Sequence, residues 1–120
     1  MGIFEAVLWL TLNLYHEGRG EELIGQQAII HVTLNRANKR HLSIKDTVTQ
    51  PFQFSWTMKS NYIPKDFKSF INNLNTVSKT IGEIDFTRGA TYYHSVSIPD
   101  PYWAKDMKFI ATIGKHKFYK

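Results

Sequence analysis

Two carboxylate side chains, Glu17 and Glu21, lie four residues apart in the segment 15–21, which reads YHEGRGE. The same segment contains an imidazole and a guanidinium, and its two glycines allow the backbone to turn. Glu17 follows an apolar run, and apolar neighbours favour the uncharged form of a carboxyl group, the form that a general acid needs near neutral pH. These residues therefore predict proton transfer to a leaving group. The structural alternative is that both glutamates are solvated or pair with Arg19.

Metal and nucleophile chemistry find little support in the same sequence. His16 and Glu17 resemble the start of a zinc-protease helix, but that motif needs a second His where this chain has Gly20. The other histidines lack ligand spacing, and the chain has no cysteine for a thiolate site, a disulfide or a thiol nucleophile. No Gly-x-Ser-x-Gly elbow presents a serine. The sequence predicts neither a metal nor a cofactor.

Aromatic residues are concentrated late in the chain, at Tyr92, Tyr93, Tyr102 and Trp103, with Trp56 earlier. Flat rings pack on the apolar faces of sugar rings, while polar side chains such as Gln53 and Ser55 can hydrogen-bond the sugar hydroxyls. The pattern is consistent with a sugar-binding groove. The same rings could instead belong to the core or stack on nucleobases.

The formal net charge is +5, and most of it is carried by the second half of the chain. Residues 1–60 contain 6 basic and 5 acidic side chains, whereas residues 61–120 contain 9 and 5. This excess favours an anionic partner, and nucleic acid, anionic lipid and bacterial wall polymers all satisfy that condition. No glycine loop for phosphate and no nucleic-acid-binding motif is present, so we expect no nucleic-acid partner.

A chain of 120 residues predicts one domain, and its elements indicate an α+β fold that is mainly helical with short β-strands and hairpins. Periodicity and capping signals predict helices over about 3–17, 21–36 and 64–81, with Pro64 at the first helical position, and a short helix opened by Ser43 and Asp46. Residues 52–56 suit a strand or an extended loop, residues 90–94 a strand, and residues 109–113 and 116–119 a hairpin.

The apolar stretch 3–14 is the most hydrophobic part of the chain, but Glu5, Thr11 and Asn13 interrupt it. It is shorter than the roughly 20 residues that span a bilayer, and it lacks a basic leader. We therefore expect a buried central helix, and neither a signal peptide nor stable membrane insertion.

Seven blocks of sequence, in order, resemble the cell-wall hydrolase family of the spore-cortex-lytic enzyme SleB. The blocks cover nearly the whole chain and read EGRGE (17–21), GQQA (25–28), LNR (34–36), QFSW (53–56), GATYYH (89–94), PYW (101–103) and IGKHKFY (113–119). The resemblance implies a small lysozyme-like catalytic domain over residues 1–120. It also implies cleavage of the β-1,4 bond between N-acetylmuramic acid and N-acetylglucosamine in peptidoglycan.

The resemblance places the catalytic acid at Glu17. The family often has Ala where this chain has Gly18, a change expected to loosen the turn. The resemblance also predicts groove residues for the glycan strand, at Gln53, Ser55, Trp56, Tyr92, Tyr93, His94 and Trp103.

Two outcomes remain open for the reaction. In hydrolysis a second carboxylate activates water or forms a covalent intermediate, and Glu21 is the nearby candidate. In a lytic transglycosylase, which the resemblance favours, Glu17 alone takes the proton of the muramic acid 6-hydroxyl and a 1,6-anhydro ring closes. If Glu21 instead holds Arg19 or caps the second helix, the transglycosylase outcome follows.

Two alternatives without catalysis are that the chain is a wall-binding module or that it is a small basic nucleic-acid-binding protein. The expected partner is peptidoglycan glycan, bound by a monomer. Without an export signal, the chain is expected to be a phage lysin released by another protein, a virion part or an excised domain.

Overall fold

The computed structural model describes residues 2–51, 53–59 and 62–120. The chain has four α-helices, α1 (Gly2–Glu17), α2 (Leu23–Arg40), α3 (Ile44–Thr49) and α4 (Phe67–Thr80). Two short 3₁₀ helices span Ser55–Met58 and Tyr102–Asp106. Three strands, β1 (Tyr92–Ser95), β2 (Phe109–Ile113) and β3 (His116–Tyr119), form an antiparallel sheet in the order β1-β3-β2. The α+β prediction is confirmed.

Helix α1 is central only over its second half. Residues 10–15 are buried, and Leu10 and Leu14 pack with side chains of α2 and α4 in one cluster of the core. Ile3, Phe4 and Leu8 are exposed, so the prediction of a helix enclosed along its length is wrong for the first two turns. No helix in the described part of the chain is long and apolar enough to cross a membrane.

Helix α2 runs four residues further than the sequence indicated. It ends at Arg40, where His41 adopts a left-handed conformation with φ of 56° and donates its backbone N–H to carbonyls of the last turn. A left-handed residue after the last turn is a common helix stop, and here a histidine takes the place of the usual glycine. The extension places Arg36 and Arg40 one turn apart on the same helix face.

The capping predictions for α3 and α4 have different outcomes. Ser43 Oγ accepts a hydrogen bond from the Asp46 backbone N–H at 3.0 Å, as the capping pattern predicts. Helix α4 begins at Phe67 because Asp66 caps it and accepts from Ser69 N, so Pro64 is not its first residue.

The remaining strand predictions are confirmed at the hairpin, and β1 begins two residues later than expected, at Tyr92. The segment around Trp56 forms a 3₁₀ helix, so a strand there is wrong; Phe52 lies outside the described residues. Trp56 is drawn inward because its indole N–H donates to Asn13 Oδ1 at 2.8 Å. A buried indole needs such a partner, and the alternating pattern did not reveal it.

The side chain of Asp85 connects the loop before β1 to helix α2 by hydrogen bonds. Its carboxylate accepts hydrogen bonds from Asn35 Nδ2 at 2.8 Å, from Gly89 N at 2.9 Å and from both donors of Thr87. Burial alone would raise the pKa of Asp85, but the hydrogen bonds outweigh it and hold the pKa below its usual value. His31 Nδ1 lies 3.9 Å away. The ionised carboxylate therefore stabilises the entry to the sheet.

We expect Asp85→Asn to lower the free energy of unfolding by about 1–3 kcal/mol near neutral pH, because hydrogen bonds to a charged acceptor are lost. The folded-state pKa is below that of the unfolded chain. The stabilisation is therefore fully present above the unfolded value of about 3.9 and is lost as the pH falls through the folded value. Urea unfolding of both proteins across this range measures the difference. A difference that stays equally large in acid would contradict the assignment.

Candidate active site

A cleft of about 670 Å³ opens between the end of α1, the middle of α2, β1 and the second 3₁₀ helix. Five predicted site residues line it, namely Glu17, Gln53, Tyr92, Tyr93 and Trp103. The other lining residues are Arg36, Phe54, Tyr102, Asp106 and Met107. The fold therefore brings together residues that are up to 90 positions apart in the sequence.

Glu17 is the last residue of α1 and is half-buried. Tyr93 Oη, on β1, donates a hydrogen bond to Glu17 Oε1 at 2.6 Å. Burial, followed by the charge of Glu17 and this hydrogen bond, raises the pKa of Tyr93 well above its ordinary value, so the phenol keeps its proton. No hydrogen bond to Glu17 Oε2 comes from a described residue. Oε1 is thus held in place, while Oε2 remains available to a ligand in the cleft.

Gly18 closes the turn after the helix. It is buried, and its N–H donates to Leu14 O at 2.7 Å. A Cβ atom at this position would lie 2.7 Å from Leu14 Cδ1 and 2.9 Å from Leu14 O. The turn is therefore tightly packed at Gly18, contrary to the looser turn expected from a glycine.

The polar wall of the cleft is organised by Arg40. Its Nη1 donates to Gln50 Oε1 and to Gln53 Oε1, the latter at 2.9 Å, and its Nη2 donates to Tyr92 Oη at 2.6 Å. These bonds orient the Gln53 amide so that its carbonyl oxygen is occupied. The amide nitrogen donates to no described residue and is available to a ligand.

The aromatic wall is formed by β1 and the second 3₁₀ helix. The rings of Tyr92 and Trp103 lie 5.2 Å apart and are tilted by 54°. Tyr102 extends the wall and is 85% exposed. A large exposed ring at the mouth of a cleft is typical of a surface that binds a ligand with flat apolar faces.

Three predicted groove residues do not line the cleft. Ser55 is exposed elsewhere, and Trp56 is buried with its ring stacked on His16 at 4.3 Å. His94 is buried; its Nδ1–H donates to Ser95 O, and its Nε2 accepts from Tyr119 Oη, both at 2.9 Å. Trp56 and His94 therefore support the groove from behind, and the His94 ring contacts Trp103 at 5.8 Å.

Glu21 lies in a different environment from Glu17. Its carboxylate accepts from the Lys115 backbone N–H at 3.0 and 3.2 Å and lies 3.0 Å from His116 Nδ1. It does not pair with Arg19, and the N-cap position of α2 is occupied by Glu22, whose side chain makes no capping hydrogen bond. Glu21 is not among the described lining residues of the cleft. Its contacts join the α1–α2 turn to the β2–β3 hairpin.

Sequence reasoning missed Arg36 and Asp106. The arginine was placed at the end of α2 because no glycine or proline marks the true end. The acid follows Trp103 by three residues, and in a 3₁₀ helix residues at this spacing lie on the same face. A 3₁₀ assignment for residues 102–106 would have placed Asp106 on the same face as Trp103, but it would not have placed that face in the cleft. Within the described ranges no cluster of three or more His, Asp or Glu side chains is arranged to hold a metal ion.

Comparison with known proteins gives one family and two similar structures. The family described as Cell Wall Hydrolase matches residues 20–119, a range that begins after Glu17. The catalytic domain of the germination-specific lytic transglycosylase SleB from Bacillus anthracis matches with a TM-score of 0.81 and 25% identity, over 99% of this chain and 98% of that one. The catalytic domain of Bacillus cereus SleB matches with a TM-score of 0.82 and 24% identity, over 98% and 91%. No curated protein sequence gives a significant match.

We expect Glu21→Gln to lower the free energy of unfolding by about 1–3 kcal/mol, since the amide cannot accept all the hydrogen bonds of the carboxylate. Turnover by the folded variant should stay within about threefold of the original, because the glutamine side-chain oxygen can still accept from the Lys115 backbone N–H and so keep the turn joined to the hairpin. Glu22→Gln is the matched control, as its side chain makes no capping hydrogen bond. Denaturant unfolding and the clearing of isolated cell walls measure the two effects. A Glu21→Gln protein of normal stability and greatly reduced turnover would place Glu21 in the chemistry.

Proposed function

The chain belongs to the cell wall hydrolase family, and on this basis we propose that it is a lytic transglycosylase that cleaves peptidoglycan between N-acetylmuramic acid and N-acetylglucosamine. The observation that carries the proposal is a single half-buried carboxyl group, that of Glu17, oriented by Tyr93 at one end of an aromatic-walled cleft. The similarity over 99% of the chain to a SleB catalytic domain described as a lytic transglycosylase supports it.

Glu17 serves as acid and then as base in this mechanism. Protonated Oε2 gives its proton to the glycosidic oxygen, the bond from that oxygen to C1 of the muramic residue breaks, and the N-acetylglucosamine end leaves as an alcohol. The carboxylate so formed takes the proton of the 6-hydroxyl on the same muramic residue. The 6-oxygen then bonds to C1, which closes the 1,6-anhydro ring and restores protonated Glu17.

Intramolecular attack suits this cleft. The 6-hydroxyl is held on the reacting sugar at a high effective molarity, and such proximity alone can contribute several powers of ten to a rate. Tyr93 Oη keeps its proton and stays bonded to Oε1 in both halves of the cycle. The carboxyl group therefore does not need to reorient between donating and accepting a proton.

The cleft walls provide contacts for a glycan strand. Tyr92, Tyr102 and Trp103 offer rings for the apolar faces of the sugars, and the free amide nitrogen of Gln53 can donate to a hydroxyl or an N-acetyl carbonyl. His94 and Trp56 act through neighbouring residues, since neither lines the cleft. A wall-binding module would need these surfaces but not an oriented carboxyl group.

Hydrolysis is the second candidate reaction, and one observation favours it. Asp106 lines the same cleft as Glu17 and is exposed, so it could activate a water molecule. Glu21, the residue that the sequence offered for this role, is engaged by the hairpin. A hydrolytic muramidase of this fold would therefore depend on Glu17 and Asp106.

Glu17→Gln should reduce wall degradation at least 100-fold, because the amide is nearly isosteric but cannot donate the proton; general acid catalysis contributes about 10²–10⁴-fold. Release of soluble muropeptides from purified walls measures the rate, and circular dichroism confirms folding. Glu22→Gln makes the same charge change at an exposed site and should keep nearly full activity. A folded Glu17→Gln protein with more than a tenth of the original rate would exclude Glu17 as the acid.

The products should end in 1,6-anhydro-muramic acid, which is lighter than a reducing end by one water and is distinguished by mass spectrometry. Asp106→Asn should leave these products unchanged, since ring closure needs no second carboxylate. If reducing muramic ends predominate and disappear in Asp106→Asn, the reaction is hydrolysis. Reducing N-acetylglucosamine ends would show that the other glycosidic bond is cleaved.

A further inference from the structure

Arg36 is a buried cation in the cleft wall, and the described residues leave most of its N–H groups without partners. It is 4% exposed, and its Nε donates to Thr91 O at 2.9 Å. Nη1 is buried and has no hydrogen-bond partner, and no described residue accepts from Nη2. No carboxylate of the described residues lies within 4.0 Å of the guanidinium.

Such an arrangement is costly. Burial lowers the pKa of Arg36, the charge of Arg40 adds to that shift, and the charge of Glu17 opposes it. The guanidinium remains charged because arginine does not deprotonate in proteins. It lies over the rings of Phe54 and Tyr92, at 4.9 and 4.6 Å from their centroids, which compensates the buried charge only in part. The unused N–H groups therefore need an acceptor from outside the described residues, such as a ligand or a water molecule in the cleft.

Arg40, one helical turn further on, is the contrasting case. Its guanidinium bonds to Gln50, Gln53 and Tyr92 Oη, and so its main donors are satisfied within the fold. The hydrogen bonds of Arg40 therefore give it a structural role in the cleft wall, and no ligand is needed to satisfy them. Arg36, on the same helix face, lines the cleft and keeps donors that no described residue uses.

We propose that Arg36 binds the lactyl carboxyl or amide oxygen of N-acetylmuramic acid and thereby selects the muramic sugar at the subsite beside Glu17. This inference rests on the proposed function. Hydroxyl and N-acetyl groups occur on both sugars of peptidoglycan, whereas the lactyl group occurs on one of them. Its terminal carbon carries acceptor oxygens whether it is a free carboxylate or an amide to a stem peptide. A guanidinium is well suited to such oxygens, and it pairs best with the carboxylate.

The test is a binding cycle in a Glu17→Gln background, which prevents turnover. The two ligands are a peptide-free muramic acid and glucosamine tetrasaccharide and the same tetrasaccharide with its lactyl carboxyls reduced to alcohols. With Arg36 present, calorimetry should show at least tenfold tighter binding of the carboxylate, as expected for a charge-assisted hydrogen bond. In Arg36→Gln the two ligands should bind within about twofold of each other.

Arg40→Gln is the matched control. It should weaken both ligands by a similar factor and leave the preference for the carboxylate intact, because Arg40 acts by orienting Gln53 and Tyr92. Arg36→Lys keeps the charge but loses the planar fork, and it should show an intermediate preference. It also serves as the test protein if Arg36→Gln does not fold.

Three results would overturn the proposal. They are an unchanged preference in both Arg36 variants, equal binding of the two ligands by the Arg36 protein, and a preference lost equally in Arg40→Gln. Failure of the proposed function is recognised differently, since neither ligand would then bind or Glu17→Gln would still degrade walls.

Discussion

The buried carboxylate of Glu21 is the constraint on which the geometry of the cleft depends. It joins the turn after α1 to the β2–β3 hairpin through the Lys115 backbone N–H and His116. Two glycines make room for it. A Cβ at Gly114 would lie 2.6 Å from Glu21 Oε2, and one at Gly25 would also collide with this carboxylate. A larger residue at either position would displace the carboxylate and loosen the hairpin.

A series of side-chain contacts connects Glu21 to the carboxyl group of Glu17. The His116 ring packs edge-on against Tyr93 at 5.2 Å, and Tyr93 in turn donates to Glu17. Tyr93 is paired with Phe118 in the β1–β3 register, and Phe118 is fully buried. The sheet is small, but Tyr93 is held by Glu17, by the His116 ring and by its buried strand neighbour Phe118. The position of the Glu17 carboxyl group is therefore set by the strands as much as by its own helix.

Much of the fold could be predicted because it depends on local signals. The Ser43 cap, the hairpin around Gly114 and the amphipathic α4 each result from neighbouring residues. The errors arose where distant contacts decide the local structure. Asn13 draws Trp56 into a buried 3₁₀ helix, and Tyr15 Oη accepts from the backbone N–H of Lys65 just before α4. Neither partner can be identified without the folded chain.

In the candidate site, too, local sequence predicts which residues are present, whereas distant contacts decide how they are placed. Blocks of sequence identified Glu17, Tyr92, Tyr93 and Trp103, since residue type and family resemblance are local properties. Which glutamate faces the cleft is a tertiary property, because Glu17 and Glu21 share one segment and differ only in what surrounds them. Asp106 has no local motif. It enters the cleft because the second 3₁₀ helix folds back over β1, which no pattern in 102–106 specifies.

Hydrogen-bonding capacity that the fold leaves unused separates the functional polar groups from the structural ones. Glu21, Asp85 and Arg40 are bonded by neighbouring groups, and removing any of them leaves those partners unsatisfied. Glu17 Oε2, the Gln53 amide nitrogen and the Arg36 terminal nitrogens have no hydrogen-bond partner among the described residues, and all three side chains line the cleft. Such groups are uncommon in native folds, and in an open cleft a ligand or a water molecule can complete them. The cleft is therefore organised for a polar substrate by an acid, a neutral donor and a cation.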